Sequence, residues 1–211
     1  MNGVTFGRYH SYKDFGLVRT SKKIGKAEVK KNTVEVEGSS IELDYTEAFG
    51  EPKFKQRPLE FEFQMLTEPK EFLNLFSEIQ NAIQGFKIRI TLDEDPDYYY
   101  LGRVTLSFKN EKNKGIITVS GTCEPWKYKH VTTIVTKDIS GTGTIILKNS
   151  RKRVVPEITT TASMSVKFGD YTSKVGAGTF IIPTFELLPG DNEFQITGTG
   201  NITFKYTEGS L

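Results

Sequence analysis

Apolar and polar residues alternate over much of this chain, in runs short enough to be strands. In "LEFEFQM" Leu59, Phe61, Phe63 and Met65 alternate with Glu60, Glu62 and Gln64, the signature of a strand with one face in a core and one in water. "FKIRITL" repeats the pattern with Phe86, Ile88, Ile90 and Leu92 on one side. "YYYLGRVTLSF" continues it with Tyr100, Val104, Leu106 and Phe108. The intervening "DEDPD" has turn composition, so these two runs are expected to form a hairpin.

One segment has helical spacing instead. In "EPKEFLNLFSEIQNAIQG" Phe72, Leu75, Phe76, Ile79, Ala82 and Ile83 recur every three or four residues and form one apolar stripe. Glu68, Pro69 and Glu71 suit its start and Gly85 its end, predicting a helix near 68–84.

After His130 the texture changes. Aromatics thin out and Thr, Gly and short apolar alternations take over, as in "GTGTIIL", "GTFIIPTFELL" and "NITFKY". Five or six short strands with glycine turns and no helix predict a small β-sandwich, with "PGDN" before Glu193 as one of the turns. The expected organisation is a strand-rich domain with one helix over residues 1–130 and a β-sandwich domain over 131–211, a mainly β protein.

Charge removes one class of function. The chain of 211 residues carries 28 Lys and Arg against 26 Asp and Glu, a net charge of +2. Of these, 20 basic and 19 acidic residues precede His130, and 8 and 7 follow it, so neither part is a basic module and no sequence-specific nucleic-acid binding is expected. The amino terminus lacks the apolar core of a signal peptide, and no run approaches the ~20 apolar residues of a membrane-spanning helix. Folding in a cytoplasm is expected, with the Asn201-Ile202-Thr203 sequon left unmodified and no direct membrane insertion.

Candidate chemistry is thin. Asp93, Asp95 and Asp97 imitate the opening of a calcium loop, but Tyr98 and Val104 stand where an EF-hand needs glycine and a carboxylate. A hydrolytic nucleophile needs a histidine base, and His10 and His130, the only two, lie in no nucleophile motif. The glycines of "GTGTIIL" and "GTGNITF" lack the lysine and following helix of a phosphate cradle. Arg151, Lys152 and Arg153 read as a solvated turn, with contact to an acidic partner as the alternative. The stretch "TCEPWKYKH" gathers the single cysteine, Cys123, the single tryptophan, Trp126, and His130. One thiol and one imidazole do not complete a zinc site; the stretch reads as a seam, with Trp126 packed between the domains or against the end of the first core. No catalytic, cofactor-binding or metal-binding residue is assigned, and the chain is expected not to be an enzyme.

The whole chain resembles the distal tail proteins (Dit) of bacteriophages with long non-contractile tails, including prophages of Gram-positive bacteria. The residues that carry this are "YHSYKDFGLVRTSKKI", then "VEVEGSSIELDYTEAFGEPKFKQRPLEFEF", "DPDYYYLGRVTLSF", "GIITVSGTCEPWKYK" and "FELLPGDNEFQITGTGNITFKYTEGSL", in family order from Tyr9 to Leu211. Gly38-Ser39-Ser40 departs from the glycine-aspartate-glycine common in that family's second block. The resemblance implies a virion structural protein of the siphovirus tail tip. The first domain would form a ring, typically a homohexamer, that joins the tail tube protein to the tail-associated tip protein. A galectin-like sandwich would hang outside, and receptor-binding or baseplate proteins would attach at the periphery. The rival reading is a carbohydrate-binding receptor-recognition module, because galectin-like sandwiches bind sugars. Against it, the second half has no tryptophan, and Phe168, Phe180, Phe185, Phe194 and Phe204 fall in patterns that suit a core.

Overall fold

The computed structural model describes residues 3–48, 50–112 and 114–211. They are mainly β with a single α-helix, and the chain divides into two compact units, Met1–Lys127 and Tyr128–Leu211.

In chain order the first unit contributes β1 (Val4–Phe6), β2 (Tyr9–His10), β3 (Leu17–Ile24), β4 (Thr33–Val34), β5 (Leu43–Asp44) and β6 (Arg57–Met65). Then come α1 (Phe72–Ile83), β7 (Lys87–Leu92), β8 (Asp95–Glu111) and β9 (Lys114–Lys129), whose last two residues belong to the second unit. The main sheet runs β2-β1-β7-β8-β9-β6-β3. Four steps separate β1 from β6 in that order, about 19 Å in a flat sheet. Yet the Phe6 ring meets those of Phe61 and Phe63 at 5.9 and 6.2 Å. The sheet therefore curls until its two ends share one core, which also buries Ile90, Val104, Ile117 and Val119.

The alternation of β6 is realised residue by residue: Leu59, Phe61, Phe63 and Met65 are buried. The helical stripe of α1 seats Phe72, Ile79 and Ile83 on the same core, after a 3-10 turn over Pro69–Glu71. Two expectations need correction. Phe86 lies before β7 and is 57% exposed, because the chain is still leaving the helix there. The hairpin turn is also tighter than "DEDPD": Leu92 already faces Asp95, so only Asp93 and Glu94 turn the chain. Gly102 on β8 is required by closeness, since a Cβ there would stand 2.4 Å from the Thr122 carbonyl oxygen and 2.5 Å from the Cys123 sulfur.

The second unit holds β10 (Thr133–Asn149), β11 (Glu157–Thr160), β12 (Met164–Phe168), β13 (Tyr171–Val175), β14 (Gly178–Ile181), β15 (Gly190–Tyr206) and β16 (Gly209–Ser210). Its strands are not all short. β10 and β15 are 17 residues each and pair from Thr133–Tyr206 to Asn149–Gly190. The first part of β15 pairs β12 and the later part pairs β11. Ten extended residues span about 33 Å, but the Phe194 and Phe204 rings lie 4.9 Å apart. The long β10–β15 pair has thus folded over on itself to make both layers. The bend falls where Gly198 adopts φ 153°, a conformation open to glycine and strained for other residues. Across it, Lys137 donates from Nζ to the Thr144 carbonyl at 2.7 Å. Phe185, Phe194 and Phe204 are fully buried, whereas Phe168 and Phe180 are half-buried against that core. The "PGDN" turn is also shorter than expected. Asn192 is buried in β15, where its Oδ1 accepts the Leu188 N–H and its Nδ2 donates to the Leu188 carbonyl, each at 2.8 Å.

Candidate assembly surfaces

A two-stranded ribbon leaves the first unit between Gly25 and Arg57. Its rungs are few: Val29 bridges Phe54, Lys30 donates its N–H to the Lys53 carbonyl, and β4 pairs β5 through Thr33–Asp44 and Val34–Leu43. Every residue from Glu28 to Tyr45 is exposed. That includes Val34, Val36, Ile41, Leu43 and Tyr45, with Ile41 at 73%. An isolated two-stranded ribbon has no core of its own, and a contiguous apolar patch without cover marks an interaction surface. This arm is also charged unevenly. Between Asn32 and Gly50 stand Glu35, Glu37, Glu42, Asp44 and Glu47 and no lysine or arginine.

The sheet of the first unit ends in two edges, β2 and β3. Among the described residues β3 pairs only with β6, with a register shift between Arg19 and Ser21. Beside it runs a groove of about 400 Å³ lined by Gly3, Tyr12 and residues 17–22. Unpaired edges of this kind template further strands unless something covers them.

Charge pairs brace this region. Arg19 grips Glu94 with both guanidinium nitrogens, at 2.9 and 3.2 Å, and Lys22 adds a third contact at 2.8 Å. Burial alone would raise the Glu94 carboxyl. The hydrogen bonds from Lys22 and Arg19 and the charge of Arg19 outweigh it and hold the group down at about 2. No sequence spacing pointed to Glu94, because its partners are more than 70 residues away. In the second unit Glu208 plays a similar part. It is 8% exposed and accepts from Lys129 at 2.7 Å, Thr133 at 3.0 Å and Ser150 at 2.5 Å. Burial would raise its carboxyl, but these donors keep it below its ordinary value.

The residues weighed for chemistry are dispersed. Asp93 accepts the Gly3 N–H at 2.7 Å and meets His10 Nε2 at 3.1 Å, Asp95 pairs with Lys127 at 2.9 Å, and Asp97 is exposed. The other ring nitrogen of His10 accepts the N–H groups of Tyr12 and Lys13, so the imidazole pins the amino-terminal segment. His130 lies on the surface. Cys123 is fully buried, and burial pushes its thiol up to about 12, the reverse of an activated nucleophile. Among the described residues no group of three His, Cys, Asp or Glu could hold a metal ion. No helix among them is long and apolar enough to cross a membrane.

Trp126 is half-buried and lies outside the buried cluster, its ring edge-on to Phe54 at 5.4 Å. Arg151 and Lys152 donate backbone N–H groups to the Gly209 carbonyl, and Arg153 pairs with Glu186 at 3.2 Å. The glycines of "GTGTIIL" and "GTGNITF" lie inside β10 and β15.

No protein-family model matches the chain, and no curated protein does. Among solved structures it is similar to SPP1 Dit (gp 19.1), described as a paradigm of the hub adsorption apparatus in phages infecting Gram-positive hosts. The two align over 100% of each chain with a TM-score of 0.76 at 14% sequence identity. The shared property is the fold, over the full length of both.

Proposed function

We propose that this protein is a structural component of a phage tail tip, a hub whose first unit closes into a ring. The carrying observation is the fold shared from end to end with a phage hub protein. Two features of the first unit support it independently: an arm with uncovered apolar side chains, and an edge strand beside a groove. Head-to-tail contacts of one kind close into a ring when the rotation per subunit divides a full turn, and six copies is the number the family resemblance implies.

On this reading one face of the ring meets the tail tube protein and the other the tail-associated tip protein, with receptor-binding or baseplate proteins outside. The second unit, residues 131–211 in the expected division, is the peripheral sandwich. The protein is made in the cytoplasm of the host, expected to be Gram-positive, and ends in the virion, with a structural rather than enzymatic role.

The test is solution mass and negative-stain imaging of the purified chain, alone and mixed with its neighbouring tail proteins. Closed rings are expected. A chain that stays monomeric in every mixture and never labels the tail tip in virions would end this reading.

A further inference from the structure

Arg57 is the outlier of the first unit. It takes the first core-facing position of β6, where Leu59, Phe61 and Phe63 continue the column inward. Only 7% of the residue is exposed. Its Nε has no hydrogen-bond partner, and among the described residues no carboxylate pairs with it. The guanidinium instead lies over the Tyr100 ring, 5.4 Å from its centre, and Cys123 faces the residue across the ladder. A buried charge without a counter-charge is costly, and an arginine held beside an aromatic ring keeps a planar fork suited to a carboxylate. Lys53 and Lys55 precede it at alternate positions, and Lys55 pairs with Glu28 at 3.2 Å. The arm's root is therefore basic and its tip acidic and apolar.

Resting on the self-assembly reading above, we propose that the acidic, apolar tip of the arm, around Glu35–Asp44, docks on the Arg57 site at the arm root of a second copy. Charge selects this occupant: the base-free stretch between Lys31 and Lys53 holds more acids than any other in the chain, and Arg57 is a buried base with no acid among the described residues. Reach allows it. The thirteen residue steps from Gly25 to Gly38 span at most about 43 Å when extended. The body without its arm, roughly 100 residues, is about 30–35 Å across, so a tip can reach the equivalent root one subunit away. Docking would cover Val34, Ile41 and Leu43 and give Arg57 its carboxylate together. Because tip and root are different surfaces, the contact propagates head to tail.

Two experiments on the full chain test this. In the first, a Leu43→Cys chain is mixed with a Lys55→Cys chain under mild oxidation; the native Cys123 is buried and stays out of the exchange. Disulfide-linked heterodimers of the two variants are expected, well above either homodimer. In the second, Arg57→Met, which keeps an apolar stem over Tyr100, and a chain with 34–43 replaced by a short Gly-Ser link are followed by light scattering. Each alone should self-associate at least tenfold more weakly than the wild type. Mixed, they should form a 1:1 complex that grows no further, since one retains the arm and the other the root. Rings of normal strength in Arg57→Met, or wild-type rings without the heterodimer cross-link, would overturn the docking site and leave the ring standing. A wild-type chain that assembles under no condition would overturn both.

Discussion

The arm and the β10–β15 strand pair begin from the same element, a long antiparallel ribbon, and reach opposite ends. The β10–β15 pair folds over near Gly198 and brings Phe194 against Phe204, so its apolar face becomes the core of a unit. The arm's turn at its tip, where Ser39 donates its N–H to the Val36 carbonyl, reverses the chain without creating a second layer. Its valines, isoleucine and leucine stay in water. A ribbon that can double back supplies its own partner, and one that cannot must borrow it. The location of uncovered apolar surface thus separates the region that buries its own apolar face from the one that leaves it in water.

Breaking the core inside the folded β10–β15 pair should have the largest effect. Phe194→Ala removes a ring with three aromatic neighbours and should destabilise the second unit by about 3–5 kcal/mol, read from denaturant unfolding. A loss under ~1 kcal/mol would mean the two layers are not packed as described.

The bend itself comes next. Gly198→Val places a side chain at φ 153° and 3.0 Å from Met164 Cγ, so a loss of about 1–3 kcal/mol is expected. The same substitution should leave unfolding of the first unit unchanged.

Trp126→Ala sharpens the comparison from the other side. The indole is half-buried against one phenylalanine rather than enclosed in a core. The expected cost is about 1–2 kcal/mol, below the roughly 3 kcal/mol of a core aromatic.

Acid should weaken the brace beside β3. The Glu94 carboxyl is lowered from 4.5 to about 2, so its contribution is fully present above the unfolded value and fades as pH falls from about 4.5 toward 2. Glu94→Gln should flatten that part of the stability–pH curve; an unchanged acid limb would show that the pair contributes nothing there.

The smallest effect on the monomer belongs to the arm. Leu43→Ala should change monomer stability by under ~0.5 kcal/mol, because the side chain is 46% exposed. The same variant should visibly weaken self-association, which mass measurements against concentration would report.

Much of this was legible in the chain. Local alternation is enough to place β6 and to say which side faces inward, because the period of a strand is two and its buried face is apolar. The stripe of α1 is equally local. Hairpin β7–β8 is legible, but its turn is shorter than its chemistry suggests, since "DEDPD" has turn residues at five positions and the backbone uses only two. Phe86 keeps the strand period yet lies outside β7, because periodicity carries no information about where a strand begins. In the second unit, glycine runs read as breaks between short strands. They are bends within long ones, a distinction that depends on which strands pair across them.

What determined the rest was distance along the chain. The sequence by itself set the β character, the single helix, the core faces and the lack of a nucleophile motif, all properties of residues within one or two turns or strands. Only the tertiary structure decided that Phe6 meets Phe61, that Glu94 is held by Arg19 and Lys22, and that Arg57 is buried without an acid. Each depends on sheet curl and register, which sum many small contacts between distant segments. The arm shows the same division. Its alternating valines and acids look like any half-buried strand, and nothing in that pattern says that Val34, Val36, Ile41 and Leu43 stay exposed in the folded chain.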